Sequence, residues 1–217
     1  MLVRVVSLPE RLDRRSEMRK EMARVGLDFE FFDAIKVTDK GMFKRVGSHG
    51  CFLSHRKLLT EAAQLNEGIF IIQDDCEFVV DRVTIPDCDI FYGGFEASNP
   101  SDLDSSDIIG AHCMAFSPRA AKLVTEYLKD YLDPNFVPDP QAAKVSTYNP
   151  TIRPPIDGAI VWFRRKHPEL TTVFNKIALQ RSSRSDVTPG PLDHLHFLRL
   201  ALSTIRRLKR LIANKSG

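Results

Sequence analysis

Asp74 and Asp75 stand side by side directly after an apolar run, Ile69-Phe70-Ile71-Ile72, and one intervening residue, Gln73. Adjacent ionised carboxylates repel each other. A fold keeps them together at a strand exit chiefly when a hard divalent cation bridges them or when one is held protonated. A cation held there would also attract a diphosphate and neutralise it as a leaving group. Glu77 adds an Asp75-x-Glu77 spacing, so which two oxygens would meet the ion is open. The competing explanation is a solvated acidic turn in which Asp75 caps whatever follows.

Arg11, Arg14 and Arg15 lie just past the first apolar run, where guanidinium forks could reach phosphate or a base carbonyl. Taken alone, a solvated helix face explains them more simply. In Gly47-x-x-Gly50-Cys51-x-x-Ser54-His55, the glycines let backbone approach closely at a helix start. Free N–H groups there suit an anion or a sugar hydroxyl, and a plain turn and cap explains the glycines equally well. His55 shares an apolar face with Cys51 and Leu58, a pattern that favours a satisfied core histidine over a catalytic one. Asp157 follows Pro154-Pro155-Ile156, where a loop gives way to a helix, and is either an N-cap or a general base. A base points into a cleft, whereas a cap spends its oxygens on backbone N–H groups. Asp186, in Ser185-Asp186-Val187, carries the same two alternatives.

The elements that must position these residues follow from periodicity. Residues 2–8 predict a buried strand, and 11–25 a helix with Leu12, Met18, Met22 and Val25 on one side and Gly26 as its stop. A short strand is expected at 29–32, then a helix capped by Ser48 and running to about Asn66. Residues 69–73, 88–92 and 108–116 are continuous apolar runs of the kind found in parallel sheets covered by helices. Ser117-Pro118 caps a helix that continues through Tyr131. Pro134, Pro138, Pro140, Pro150, Pro154 and Pro155 exclude regular structure over much of 133–155, a length that suits an active-site loop. A short helix at 156–165, a strand at 171–179 and a polar loop at 180–191 complete the pattern. This alternation is α/β, and such sheets bind ligands outside the carboxyl ends of their strands, where Asp74 and Asp75 fall.

Together these segments resemble glycosyltransferase family 25, which includes bacterial lipooligosaccharide galactosyltransferases and collagen galactosyltransferases. The resemblance runs through SLPERLDRRSEM, GSHGCFLSH, IIQDDCEF, GAHCMAFSPRAAKL, PPID and QRSSRSDV, in order over residues 2–187. It implies a GT-A-like fold, a Rossmann-type and mainly parallel sheet flanked by helices. It also implies a UDP-sugar donor carrying galactose or glucose, Mn²⁺ or Mg²⁺, and a saccharide or lipid-linked oligosaccharide acceptor in lipopolysaccharide or lipooligosaccharide biosynthesis. Ser7, Leu8, Arg11, Arg15, Gly47 and Asp74 would then contact the donor, and Ser54, His55 and Gln180 would line the acceptor side. Asp74 and Asp75 would hold the metal, with Asp157 and Asp186 as catalytic carboxylates. Gln73, Ser7 and Ser48 depart from the family's Glu, Asn and Glu, which lowers the local negative charge. Two other classes stay open: a metal-dependent phosphohydrolase, and an inactive relative serving as a binding module.

Composition bounds these readings. With 43% hydrophobic and 27% charged residues in 217, the chain is globular, and residues 1–191 suit one domain. It has no run of about 20 apolar residues, and Arg4 and Glu10-Arg11 come too early for a secretory leader, so a cytoplasmic location is expected. Cys51, Cys76, Cys88 and Cys113 have no zinc spacing and read as free, buried thiols. The net charge of +3 is concentrated late, and no basic groove with aromatic platforms points to nucleic acid. In residues 192–217, Leu195, Leu198, Leu202, Ile205, Leu208 and Ile212 recur at helical spacing among Arg199, Arg206, Arg207, Lys209 and Arg210. Such a basic amphipathic helix gains about 1 kcal/mol per cation near an anionic leaflet, enough for peripheral contact with the cytoplasmic face of a membrane. Packing on the body or on a second subunit is the alternative.

Overall fold

Uninterrupted β-branched and aliphatic runs become strands where both faces of a sheet are covered. In the computed structural model, which describes residues 1–144 and 149–181, they build a six-stranded sheet. Its strands are β1 (Leu2–Ser7), β2 (Glu30–Asp33), β3 (Ile69–Gln73), β5 (Ile90–Ala97), β6 (Ile108–Phe116) and β7 (Thr172–Phe174), in the order β2-β1-β3-β6-β5-β7. Two short strands, β4 (Cys76–Phe78) and β8 (Ala178–Gln180), pair separately.

The fold is α/β, with a mixed sheet. β1 is parallel to β2 and β3, and β5 to β7, but β6 runs antiparallel to both of its neighbours. The sequence pointed to parallel strands at 88–92 and 108–116. Apolar runs report burial and carry no information on direction. Direction is set here by the 98–107 connection, which holds no helix to carry the chain across the sheet, so β6 returns beside β5.

Strand alternation divides the core. Ile69 and Ile71 face α2 (Val46–Leu65), α3 (Pro118–Asp130) and α4 (Ile156–Lys166), in a cluster with Phe52, Leu58, Met114 and Phe163. Phe70 and Ile72 face the other way and pack with Met18 and Met22 of α1 (Leu12–Val25) and Phe78 of β4.

The helix ends show why the chain turns where it does. Gly26 stops α1 in the left-handed region at φ 69°. Ser117 Oγ accepts from Ala120 N at 3.0 Å ahead of Pro118, as its spacing predicts. α2 begins at Val46 without a side-chain cap, two residues before the expected Ser48, and Asn66 at φ 54° ends it. In α1 the buried stripe is Arg14, Met18, Met22 and Val25, whereas Leu12 is 71% exposed.

The expected strand at 171–179 divides in two. β7 stays on the edge of the main sheet, and β8 leaves to pair with β4. The proline-rich stretch is tied down where it is described. Buried Arg153 donates to the Tyr131 and Asp133 carbonyls at 3.0 and 2.8 Å and stacks 5.3 Å from Phe136. The four cysteines are free thiols, with Cys76 and Cys113 buried and Cys51 and Cys88 half-buried. Among the described residues, no helix is long and apolar enough to cross a membrane. The 192–217 segment and Asp186 lie outside the described residues.

Candidate active site

Parallel pairing of β1 with β3, with Val6 opposite Gln73, brings the ends of both strands to one edge of the sheet. There the neighbouring aspartates are used differently. Asp74 Oδ2 accepts from Ser7 Oγ at 2.7 Å, and Asp74 Oδ1 accepts from Arg14 Nη1 at 2.7 Å. Burial pushes the Asp74 carboxyl up, against the opposing pull of Arg14 and Ser7. This residue locks β1, α1 and β3 together.

Asp75 keeps an open valence. Its Oδ2 accepts from Gln180 Nε2 at 2.9 Å, while Oδ1 is buried and has no hydrogen-bond partner among the described residues. The β4–β8 register, with Cys76 opposite Gln180, delivers that amide. Arg181 follows it, its N–H reaching the Asp75 carbonyl at 2.7 Å and its guanidinium reaching the Asp74 carbonyl and Glu17 at 3.2 and 2.8 Å. A buried acceptor with no donor is what a metal-binding carboxylate presents to an ion, so Asp75 fits the divalent cation that the resemblance implies. Both oxygens of Asp74 are engaged, which narrows the expected two-carboxylate grip to Asp75. No group of three or more His, Cys, Asp or Glu side chains suited to a metal exists among the described residues. Most of an ion's coordination would therefore come from phosphate and water, as Mg²⁺-type sites commonly arrange.

Of Arg11, Arg14 and Arg15, it is Arg14 whose side chain pairs with the Asp74 carboxylate. Arg15 donates to the Ser7 carbonyl at 3.0 Å, pairs with Asp33 and lies 4.8 Å from the Phe31 ring centroid. Arg11, at the N-cap of α1, holds Asp13 at 3.0 Å. The Leu8 carbonyl accepts from Arg11 N at 3.0 Å, and Gly47 sits in the first turn of α2.

Ser54 is fully buried and does not line a cleft. Its hydroxyl donates to the Gly50 carbonyl and accepts from Ile35 N, both at 2.8 Å. Gly50 is small for a matching reason, since a Cβ there would fall 2.5 Å from the Ile35 carbonyl oxygen. His55 is likewise a core residue. Its ring nitrogens lie 2.9 Å from the Cys51 carbonyl and 3.4 Å from that of Ala111, and burial lowers its pKa.

Burial pushes the Cys51 thiol up to about 12, and the charges of Asp157 and Asp75 add to the effect. Asp157, in the first turn of α4, accepts from Gly110 N at 3.0 Å and from Gly158 N at 2.9 Å. It therefore pins α4 to β6, the service to backbone N–H groups expected of a capping carboxylate. A surface hollow lined by Asp89, Ser117, Arg119 and Lys122 lies at the opposite end of the sheet.

Sequence reasoning missed Arg14 as a buried anchor, Arg181, and His112. Arg14 was findable, because it shares the four-residue spacing of Met18 and Met22. Arg181 and His112 carry no such signal, since strand pairing alone brings them to the site.

Residues 2–85 match the sequence model of glycosyltransferase family 25 (LPS biosynthesis protein). The Ser7–Arg14–Asp74 lock and Asp75 lie within the matched segment. That segment spans β1 to β4, whereas Asp157, Gln180 and His112 lie beyond it. The match supports glycosyl transfer as the reaction class, with a sugar donor and an acceptor as substrates. No curated protein matches the chain. Among solved structures, a glycosyltransferase involved in the glycosylation of the major capsid of PBCV-1 is similar at 10% identity and a TM-score of 0.43, with 81% of this chain and 82% of that one covered.

Proposed function

We propose that the protein moves a hexose, galactose or glucose, from a UDP-sugar to a saccharide hydroxyl in lipopolysaccharide or lipooligosaccharide biosynthesis. The observation that carries this reading is Asp75 Oδ1, a buried acceptor without a donor among the described residues, inside the segment that matches the family 25 model. Asp75 would hold Mn²⁺ or Mg²⁺, which when bound offsets charge on a departing diphosphate. Asp74 works through Ser7 and Arg14, fixing the backbone from which Asp75 projects.

In the transfer, the bond from the anomeric carbon to the diphosphate oxygen breaks and a bond to the acceptor oxygen forms. The acceptor proton passes to a carboxylate. Asp157 is our first candidate, as the carboxylate of the PPID segment, held against β6 by the Gly110 N–H at 3.0 Å. Asp186 is the second candidate. The basic 192–217 segment would hold the enzyme at the cytoplasmic face of a membrane, beside a lipid-linked acceptor.

Transfer of labelled sugar from a panel of UDP-sugars, with Mn²⁺ supplied, tests the proposal. Asp75→Asn and Asp157→Asn are expected to lose on the order of 10²-fold or more in rate while keeping a folded spectrum. Wild-type rates in both variants would defeat it.

A further inference from the structure

β8 is three residues long and pairs with the equally short β4, and a two-stranded ribbon of that size is marginal alone. It is held at both ends instead. Ile177 N donates to the Gly93 carbonyl at 2.9 Å, and the Ala178 backbone lies against the His112 ring of β6. At the other end, the Arg181 guanidinium donates to Glu17 at 2.8 Å and to Met18 Sδ at 3.0 Å, which clamps the chain to α1. Between these clamps, three contacts converge on the turn that joins β3 to β4. Gln180 Nε2 donates to Asp75 Oδ2 at 2.9 Å, Arg181 N to the Asp75 carbonyl at 2.7 Å, and the Arg181 guanidinium to the Asp74 carbonyl at 3.2 Å.

The side chain and the backbone of Asp75 are thus held by different groups, and the chemistry of each holding group matters. A guanidinium, such as Arg14 gives to Asp74, answers the charge of a carboxylate as well as its lone pairs. The Gln180 amide answers a lone pair and brings no charge. Asp75 is therefore fixed in direction while its formal charge is not offset by the group that fixes it. Its other oxygen, Oδ1, is buried and has no hydrogen-bond partner among the described residues. Core packing does not account for Gln180, since the residue is exposed and it is the amide that reaches inward.

We infer that Gln180 and Arg181 are positioning residues: the Gln180 amide holds Asp75 Oδ2 so that Oδ1 is the oxygen presented, and Arg181 fixes the backbone that carries it. Gln180 then acts through Asp75 and does not line the acceptor side. The inference rests on Asp75 as an acting carboxylate of the proposed transfer. Misplacing such a group by about 1 Å can cost on the order of 10²-fold in rate, so the brace matters at the chemical step and little in acceptor binding.

The test joins transfer kinetics to a double-mutant cycle, both on the full-length protein. Gln180→Leu is expected to lower kcat about tenfold or more with the acceptor KM within about twofold of wild type, and Arg181→Gln to show the same split. Gln180→Glu is expected to lose as much at neutral pH and to regain rate relative to wild type as pH falls, because a protonated carboxyl donates again. Leu179→Ala, at the exposed neighbour on the same strand, is the control and is expected to keep the wild-type kcat. In urea unfolding, Gln180→Leu and Asp75→Ala are expected to be non-additive by about threefold or more in the unfolding equilibrium constant, a readout that needs no substrate. Circular dichroism establishes that the variants are folded, and the Gln180 variants stay decisive if Arg181→Gln is not. Wild-type kcat in Gln180→Leu, a loss confined to the acceptor KM, or additive unfolding effects would overturn the inference. A wild type that transfers no sugar removes the transferase reading, and the cycle then decides the brace on Asp75 by itself.

Discussion

Asp74 and Asp75 differ by one position and in almost everything they do. Asp74 is one half of a buried ion pair, and removing one partner of such a pair leaves the other charge unanswered. Asp74→Asn is therefore expected to lose about 3–5 kcal/mol of stability, read from urea unfolding. Asp75→Asn removes a charge with a bare oxygen, so its stability is expected to stay within about 1 kcal/mol of wild type or to rise, while function is lost. The carboxylate pair was legible from adjacency alone. Its division of labour was not, because that depends on Ser7 and Arg14, brought in by strand pairing and by one helical face. His55 gives a prediction in pH. Its folded pKa is lowered, so between that value and the unfolded value near 6.5 only the unfolded chain takes up the proton. Its contribution is complete above about 6.5 and is lost as pH falls, by at most about 1.4 kcal/mol per unit. Asp157 opposes the shift, and the slope of stability between pH 7 and 5 is expected to flatten in His55→Gln.

At the scale of elements, caps and close approaches decide what the chain tolerates. Ser117→Ala removes the α3 cap and is expected to lower stability by about 1 kcal/mol, a shift of about 2–4 °C in thermal midpoint. Gly50→Ala drives a methyl into the Ile35 carbonyl and is expected to lower it by about 1–3 kcal/mol without touching the carboxylates. Either variant melting like wild type would contradict the packing described. Helix existence was readable from periodicity, and the Ser117-Pro118 start was right to the residue. The direction of β6 was not readable, since an apolar run looks the same in both senses. Nor was the start of α2, where Arg45 serves as N-cap without a side-chain bond and nothing in the sequence marks the boundary.

Across the whole molecule, the sheet carries a core on each face, and the candidate site sits where its strands end. A ligand that binds only the native form raises the melting point in proportion to affinity. Mn²⁺ with UDP at about 100 times Kd is expected to stabilise the wild type by about 2.7 kcal/mol, and Asp75→Asn by far less, in a thermal melt. The α/β class was legible in the alternation of runs, but the return of β8 to β4 was hidden inside what read as one strand. That return has a practical consequence for anyone shortening the protein. A version trimmed after residue 181 keeps the Gln180 amide on Asp75 and the Arg181 clasp on Glu17, whereas one trimmed after 176 discards both and unlatches the small ribbon from α1.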